Sequence, residues 1–170
     1  MPTSEYEDVE VENLYDTIVK ILEEDGKGDT NNIIRGDWNN VVGDEPYWNI
    51  VGPHGLGRRN HWGQMLIDFC ERNGLIVTNT CFKKPKRRLY TWKASGDWSR
   101  HQFDYILMKH RLRNSVKDEQ KLPGADIVSD NNLLVAKVRI RLKKILRFKG
   151  ADLDGIWRSY MRKDKVCRIL

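Results

Sequence analysis

Cysteine is scarce: Cys70, Cys81 and Cys167 make an odd number with no CxxC pair, so the chain carries neither a disulfide framework nor a structural zinc site. A reducing compartment is the expected setting. No apolar run approaches the length that spans a membrane, and the N-terminus is acidic rather than basic-then-apolar. These absences predict a soluble intracellular protein without separating nucleus from cytoplasm. Internal repeats and low-complexity tracts are also missing, so the 170 residues fit one folded domain, long enough to bury a core. Cations are nearly absent from residues 1–50, which hold 3 Lys/Arg against 13 Asp/Glu, a net of −10.

The opposite imbalance follows, with 27 Lys/Arg against 11 Asp/Glu in residues 51–170, a net of +16. Such a body suits a polyanion such as nucleic acid, because cations that neutralise phosphates release counterions; it equally suits a basic solvated surface. The acidic start either screens that field or is a solvated helix face.

Val11, Leu14, Tyr15, Ile18 and Leu22 recur at helical spacing, which predicts an amphipathic helix over residues 7–25 with an acidic outer face. A short buried strand over 31–35 would deliver Asp37 and Asn39 to its carboxyl end. Residues 43–58, punctuated by glycine and proline, read as a loop. Trp62, Met65, Leu66, Phe69 and Cys70 line one face of a helix from Asn60 to Arg72, closed by Asn73-Gly74 and read as core. Strands are predicted at 75–79, 89–92, 103–108, 126–128 and 134–142. In the last, Val138, Ile140 and Leu142 alternate with Lys137, Arg139, Arg141 and Lys143, so one face is basic. That face either meets nucleic acid or is an edge whose charges prevent sheet-to-sheet association.

Lys83, Lys84, Lys86, Arg87 and Arg88 surround Pro85 before Leu89. Such a cluster is a phosphate-contacting or nuclear-import segment, or a solvated hairpin tip. Asp37 and Asn39 are either site residues or turn formers, and Trp92 and Phe103 either a base-stacking platform or core. Asp104, set in an apolar strand, needs a partner, because burying an unpaired carboxylate is costly.

The blocks GDWN (36–39), GLGRRNHWGQMLIDFCERNGLIVTNTCF (55–82), YTW (90–92), QFDYIL (102–107) and SDN (129–131) stand in an order that resembles the endonuclease/exonuclease/phosphatase superfamily. Within it the chain resembles the apurinic-type endonuclease domain of LINE-type retrotransposons, with ordered agreement over residues 30–144. The resemblance implies an α/β sandwich and hydrolysis of phosphodiesters by in-line attack of water, with magnesium offsetting charge on the phosphoryl oxygens. It implies that Asp37 orients or deprotonates the water, Asn39 holds the scissile phosphate, Asp104 orients a catalytic histidine and Asp130 lies near the metal. Thr91 and Trp92 match the family's threonine-tryptophan pair beside the substrate groove.

Two departures accompany the same resemblance. Asn131 stands where the family has its histidine, and an amide neither carries positive charge nor exchanges a proton near neutral pH. By analogy with an oxyanion donor, its loss costs roughly two to four kcal/mol of transition-state binding. His54, His61, His101 and His110 remain, but their spacing sets none beside Asp104. The family's first half, with its glutamate and asparagine metal ligands, has no counterpart before Gly36, so Asp130 is left as a weak contact in an incomplete magnesium site. The expectation is therefore an α/β fold that keeps the second half of the sandwich over residues 1–149, with 150–170 a helical C-terminal extension. Its function would be that of a truncated, retrotransposon-derived, catalytically defective endonuclease-like domain. The alternative is a non-catalytic module that binds nucleic acid, DNA foremost, or protein. Thr91, Trp92, Lys83, Lys84, Lys86, Arg87 and Arg88 would make the nucleic-acid surface. A half sandwich also predicts one uncovered sheet face, to be closed by a second copy or a partner chain.

Overall fold

The computed structural model describes residues 8–24, 32–94, 96, 99–122 and 131–139. The expected strand at 126–128, the end of the last strand, Asp130 and the 150–170 extension lie outside the described residues.

The fold is mixed α/β with antiparallel sheets. Helix α1 spans Asp8–Glu24, close to its predicted bounds, and buries Val11 and Tyr15. Strand β1 is Ile33–Asp37, two residues later than expected, because its ladder continues through Gly36 and Asp37. Helix α2 is His61–Asn73. Its N-cap Asn60 accepts from the Gly63 N–H at 2.8 Å, and Gly74 ends it in the left-handed conformation at φ 59°. Leu66, Ile67, Phe69 and Cys70 are the buried stripe, whereas Trp62 sits at the rim and donates its indole N–H to Asp8 at 3.1 Å.

Strand β2 is Leu75–Val77. It stops short of Asn79 because Thr78–Thr80 tighten into a 3-10 turn, with the Thr80 hydroxyl donating to the Val77 carbonyl at 2.7 Å. Of the strand expected at 89–92 only β3, Trp92–Lys93, forms; Lys86–Arg88 coil into a 3-10 turn instead. It pairs with β4, Arg100–His101, which was not predicted. Strand β5, Asp104–Lys109, lies between β1 and β2 and runs antiparallel to both. Strand β6, Val116–Lys121, was also missed, since its sequence VKDEQK has no apolar alternation; it forms a hairpin-like pair with β7, Leu134–Val138.

Side chains of β5 alternate between two cores. Tyr105 and Leu107 join Ile34, Leu75, Val77 and both helices on one face. Ile106 and Met108 meet Val116 on the other, with Ile33, Phe82, Leu134, Ala136 and Val138 packed around them. The β6–β7 pair thus packs on the second face of the central sheet, which the half-sandwich expectation leaves to a second copy or a partner chain. In β7 the predicted alternation holds over the described residues: Leu134, Ala136 and Val138 turn inward, while Val135, Lys137 and Arg139 are exposed.

Glu119 is the anomaly of this packing. It faces inward from β6 at 1% exposure, and neither carboxylate oxygen has a hydrogen-bond partner. Burial pushes its acid up to about 8 and the Asp118 carboxylate adds repulsion; the nearby Thr78 hydroxyl opposes this only partly, since its proton goes to the Ile106 carbonyl at 2.9 Å. A carboxyl raised in the folded state costs nothing below its unfolded value near 4.5, and it removes stability as pH climbs through about 8. The loss is on the order of 3–5 kcal/mol at full ionisation. Urea unfolding at pH 4.5 and pH 9 should show this fall, and Glu119→Gln should flatten it and be the more stable protein at pH 9; an equally steep fall in the variant would show that another group is responsible.

Candidate functional site

Asp37 ends β1 directly opposite Asp104, the first residue of β5. Residues opposite one another in an antiparallel pair share a face, with Cβ atoms about 4.5–5.5 Å apart. Two acids from distant segments therefore meet at one end of the central sheet, on the face that β6–β7 cover. Burial, and then the charge of Asp37, push the Asp104 carboxyl above its ordinary range, against the opposing pull of Thr91 and Arg35. Its Oδ2 is buried and has no hydrogen-bond partner.

The chain leaves β1 in a tight turn around Asp37, whose Oδ1 accepts the Asn39 N–H at 2.9 Å. Asn39 itself adopts φ 46°, a left-handed conformation that asparagine tolerates. Both turn-forming and site roles are thus open to this pair. The turn is pinned from β5: the Trp38 N–H donates to the Phe103 carbonyl at 2.8 Å and its indole to the Tyr105 carbonyl at 3.2 Å. The Tyr105 hydroxyl donates to the Gln102 carbonyl at 2.6 Å and accepts from the Val42 N–H at 3.2 Å. Beyond it Val41 is held by Asn60, and a Cβ at Gly63 would lie 1.9 Å from the Val41 carbonyl oxygen, so α2 can approach this segment only through glycine.

Thr91 links the remaining pieces. Fully buried, it accepts the N–H groups of both Phe103 and Asp104 on its hydroxyl at 3.0 Å. Its carbonyl accepts the Asn132 N–H at 2.6 Å and the Asn132 side-chain amide at 3.1 Å. Next to it Trp92 bridges to Asn131, which is exposed. The structure therefore gathers Asp37, Asn39, Thr91, Trp92, Asp104 and Asn131 into one neighbourhood, while Asp130 lies outside the described residues. No histidine serves Asp104 Oδ2: His101 turns its Nε2 to Ser99 at 2.7 Å, and His61 reaches Asp8 at 3.0 Å. Instead His101 stacks on Phe103, centroids 5.0 Å apart, with Trp92 tilted against both.

Among the described residues no three His, Cys, Asp or Glu side chains converge as a metal site would require. The described donors do not fit magnesium on their own, since Asp37 and Asp104 are two carboxylates, one oxygen of which is already engaged by the Asn39 N–H.

The five-cation loop divides in two. Lys84 pairs with Asp118 at 2.5 Å and Arg88 donates to Gln120 at 3.2 Å, both on β6. Lys83, Lys86 and Arg87 are exposed.

This sequence has close relatives. The chain is similar to craniofacial development protein 2. It is 45% identical over 155 residues to that protein of Tragulus javanicus, an alignment that covers 89% of this chain and 27% of the relative. Against the Bos taurus protein it is 45% identical over 144 residues, 85% of this chain and 24% of the relative. The chain thus spans about a quarter of the length of the curated relatives it matches. No protein-family model matches it. Among the described residues, no helix is long and apolar enough to cross a membrane.

Asn79 was missed in the sequence, although it stands in the block VTNTCF. Its side-chain N–H donates to the Asp104 carbonyl at 3.0 Å, and its Oδ1 accepts from the Ile106 N–H at 3.4 Å. An amide between two threonines at a strand end was the available signal. With Thr91 it fixes the start of β5, Thr91 taking the Asp104 N–H and Asn79 the Asp104 carbonyl. Replacing Thr91 by Val should leave two backbone N–H groups short of an acceptor and destabilise the fold by about 1–3 kcal/mol or more, whereas Thr91→Ser keeps the acceptor and should cost less. Urea melts of the two variants test this; equal losses would mean that the methyl group, not the hydroxyl, is what matters.

Proposed function

We propose that the chain is a retrotransposon-derived, endonuclease-like domain of the endonuclease/exonuclease/phosphatase type that is catalytically defective. The observation that carries this reading is the meeting of Asp37 and Asp104 across β1 and β5, with Thr91, Trp92 and Asn131 beside them. Those residues come from four blocks whose order resembles the family's, and chance turn formers have no reason to converge on one strand end. The defect is supported by the state of Asp104: the carboxylate to which the resemblance gives a histidine has an unpartnered, buried Oδ2, and Asn131 stands at the histidine's place.

A second reading, a non-catalytic nucleic-acid-binding module, is favoured by the exposed cations of the 83–88 loop, which lead straight into Thr91 and Trp92. The two readings agree in assigning the same groove to a polyphosphate ligand and differ only in descent and in residual chemistry.

The isolated chain should show negligible magnesium-dependent nicking of supercoiled or abasic-site plasmid DNA. Nicking above background that Asp37→Ala abolishes would overturn the defective reading. Asn131→His should not restore activity by itself, because the carboxylates at hand do not compose a metal site; clear rescue by that single change would place a working metal ligand in the chain.

A further inference from the structure

Proline at 85 and the 3-10 turn after it give the basic loop a fixed shape. The Arg88 N–H donates to the Pro85 carbonyl at 2.8 Å, the Leu89 N–H to the Lys86 carbonyl at 3.1 Å, and Leu89 is buried as the anchor. Three contacts then hold the loop against β6. Lys84 pairs with Asp118, Arg88 reaches Gln120, and the Lys121 ammonium lies 3.7 Å from the centroid of the Tyr90 ring, which also carries the Arg100 guanidinium at 4.8 Å. Asp118, Gln120 and Lys121 of β6 are thus all engaged by the loop or by its next residues. At three residues per turn, Lys86 and Arg87 leave the turn on either side of the direction taken by Arg88. Arg88 is directed to β6, while Lys83, Lys86 and Arg87 are exposed.

We propose that the loop is a preorganised phosphate clamp for duplex DNA in which Lys83, Lys86 and Arg87 contact the backbone while Lys84 and Arg88 only hold the loop in place. The assignment rests on the nucleic-acid reading above. Exposed cations on a held loop suit a duplex, whose backbone offers a charge about every 1.7 Å along its axis. Because the loop backbone is held before binding, only the three cationic side chains are left to be ordered on association. No base is read, so the clamp is indifferent to sequence.

The test is the salt dependence of binding of the full chain to a short DNA duplex, between about 50 and 200 mM salt, where each phosphate that is no longer neutralised lowers the slope of log K against log salt by about 0.9. Lys83→Ala, Lys86→Ala and Arg87→Ala together should lower it by about 2 to 3 without altering the melting temperature. Lys84→Ala with Arg88→Ala should leave the slope unchanged and lower the melting temperature. If the triple variant binds with an undiminished slope, or the slope follows Lys84 and Arg88 instead, the clamp assignment is overturned while nucleic-acid binding stands. Absence of any duplex binding by the unmodified chain at the low-salt end would overturn the nucleic-acid reading itself, and the clamp with it.

Discussion

Strand β5 is buried on both faces, and that single constraint fixes where the other described elements lie. Tyr105 and Leu107 are fully buried against the helices, and Ile106 and Met108 nearly so against β6 and β7. A one-residue slip would exchange the two sets and turn Asp104 into the helix-covered core. The register that brings Asp104 opposite Asp37 is pinned by Trp38, which donates to the Phe103 and Tyr105 carbonyls, and not by any attraction between the two acids, which repel. The two acids are held opposite one another at the strand's first residue even though their charges repel.

The two acids with buried, unpartnered carboxylate oxygens, half-buried Asp104 and fully buried Glu119, have different explanations. Asp104 stands at a strand end, beside another acid and under a threonine that engages its backbone but leaves Oδ2 bare. On the proposed reading that is what remains of a site whose imidazole is gone. Glu119 is buried on the inward face of β6, toward the central sheet, and both its carboxylate oxygens are without a hydrogen-bond partner. Its cost is a matter of stability alone, and it makes the hairpin side the weaker of the two cores at alkaline pH.

The sequence made the helices legible because their signals are periodic and capped: Val11, Tyr15 and Ile18 in α1, and Asn60 with Gly74 around α2. The inner strands were legible from their apolar runs. What stayed hidden depends on side chains reaching across the chain. Thr78–Thr80 shorten β2 by bonding back to it, and the charged run VKDEQK is a strand only because Val138 to Leu134 pair with it and Lys84, Arg88 and Tyr90 take up its polar groups. Of the site, the acids and Thr91 could be picked out by their resemblance to a family. The Tyr105 hydroxyl could not, since a phenol inside an apolar stretch reads as core, and Asn79 offered only its place between two threonines at a strand end.

Charge is divided by the same sheet. The exposed acids of α1, from Asp8 to Glu23, belong to the helix-covered side, because Val11 and Tyr15 pack on the face that carries Tyr105. The cations of the 83–88 loop and of β7 belong to the other side, tied to β6. Each packed layer adds about 10 Å, so a helix layer and a second sheet set the two charge groups on the order of 20 Å apart. Exposed charges are screened over about 8 Å at physiological ionic strength. The acidic helix therefore cannot neutralise the basic loop in solution. It acts as a solvated face, and among the described residues the acid that offsets the loop directly is Asp118, paired with Lys84.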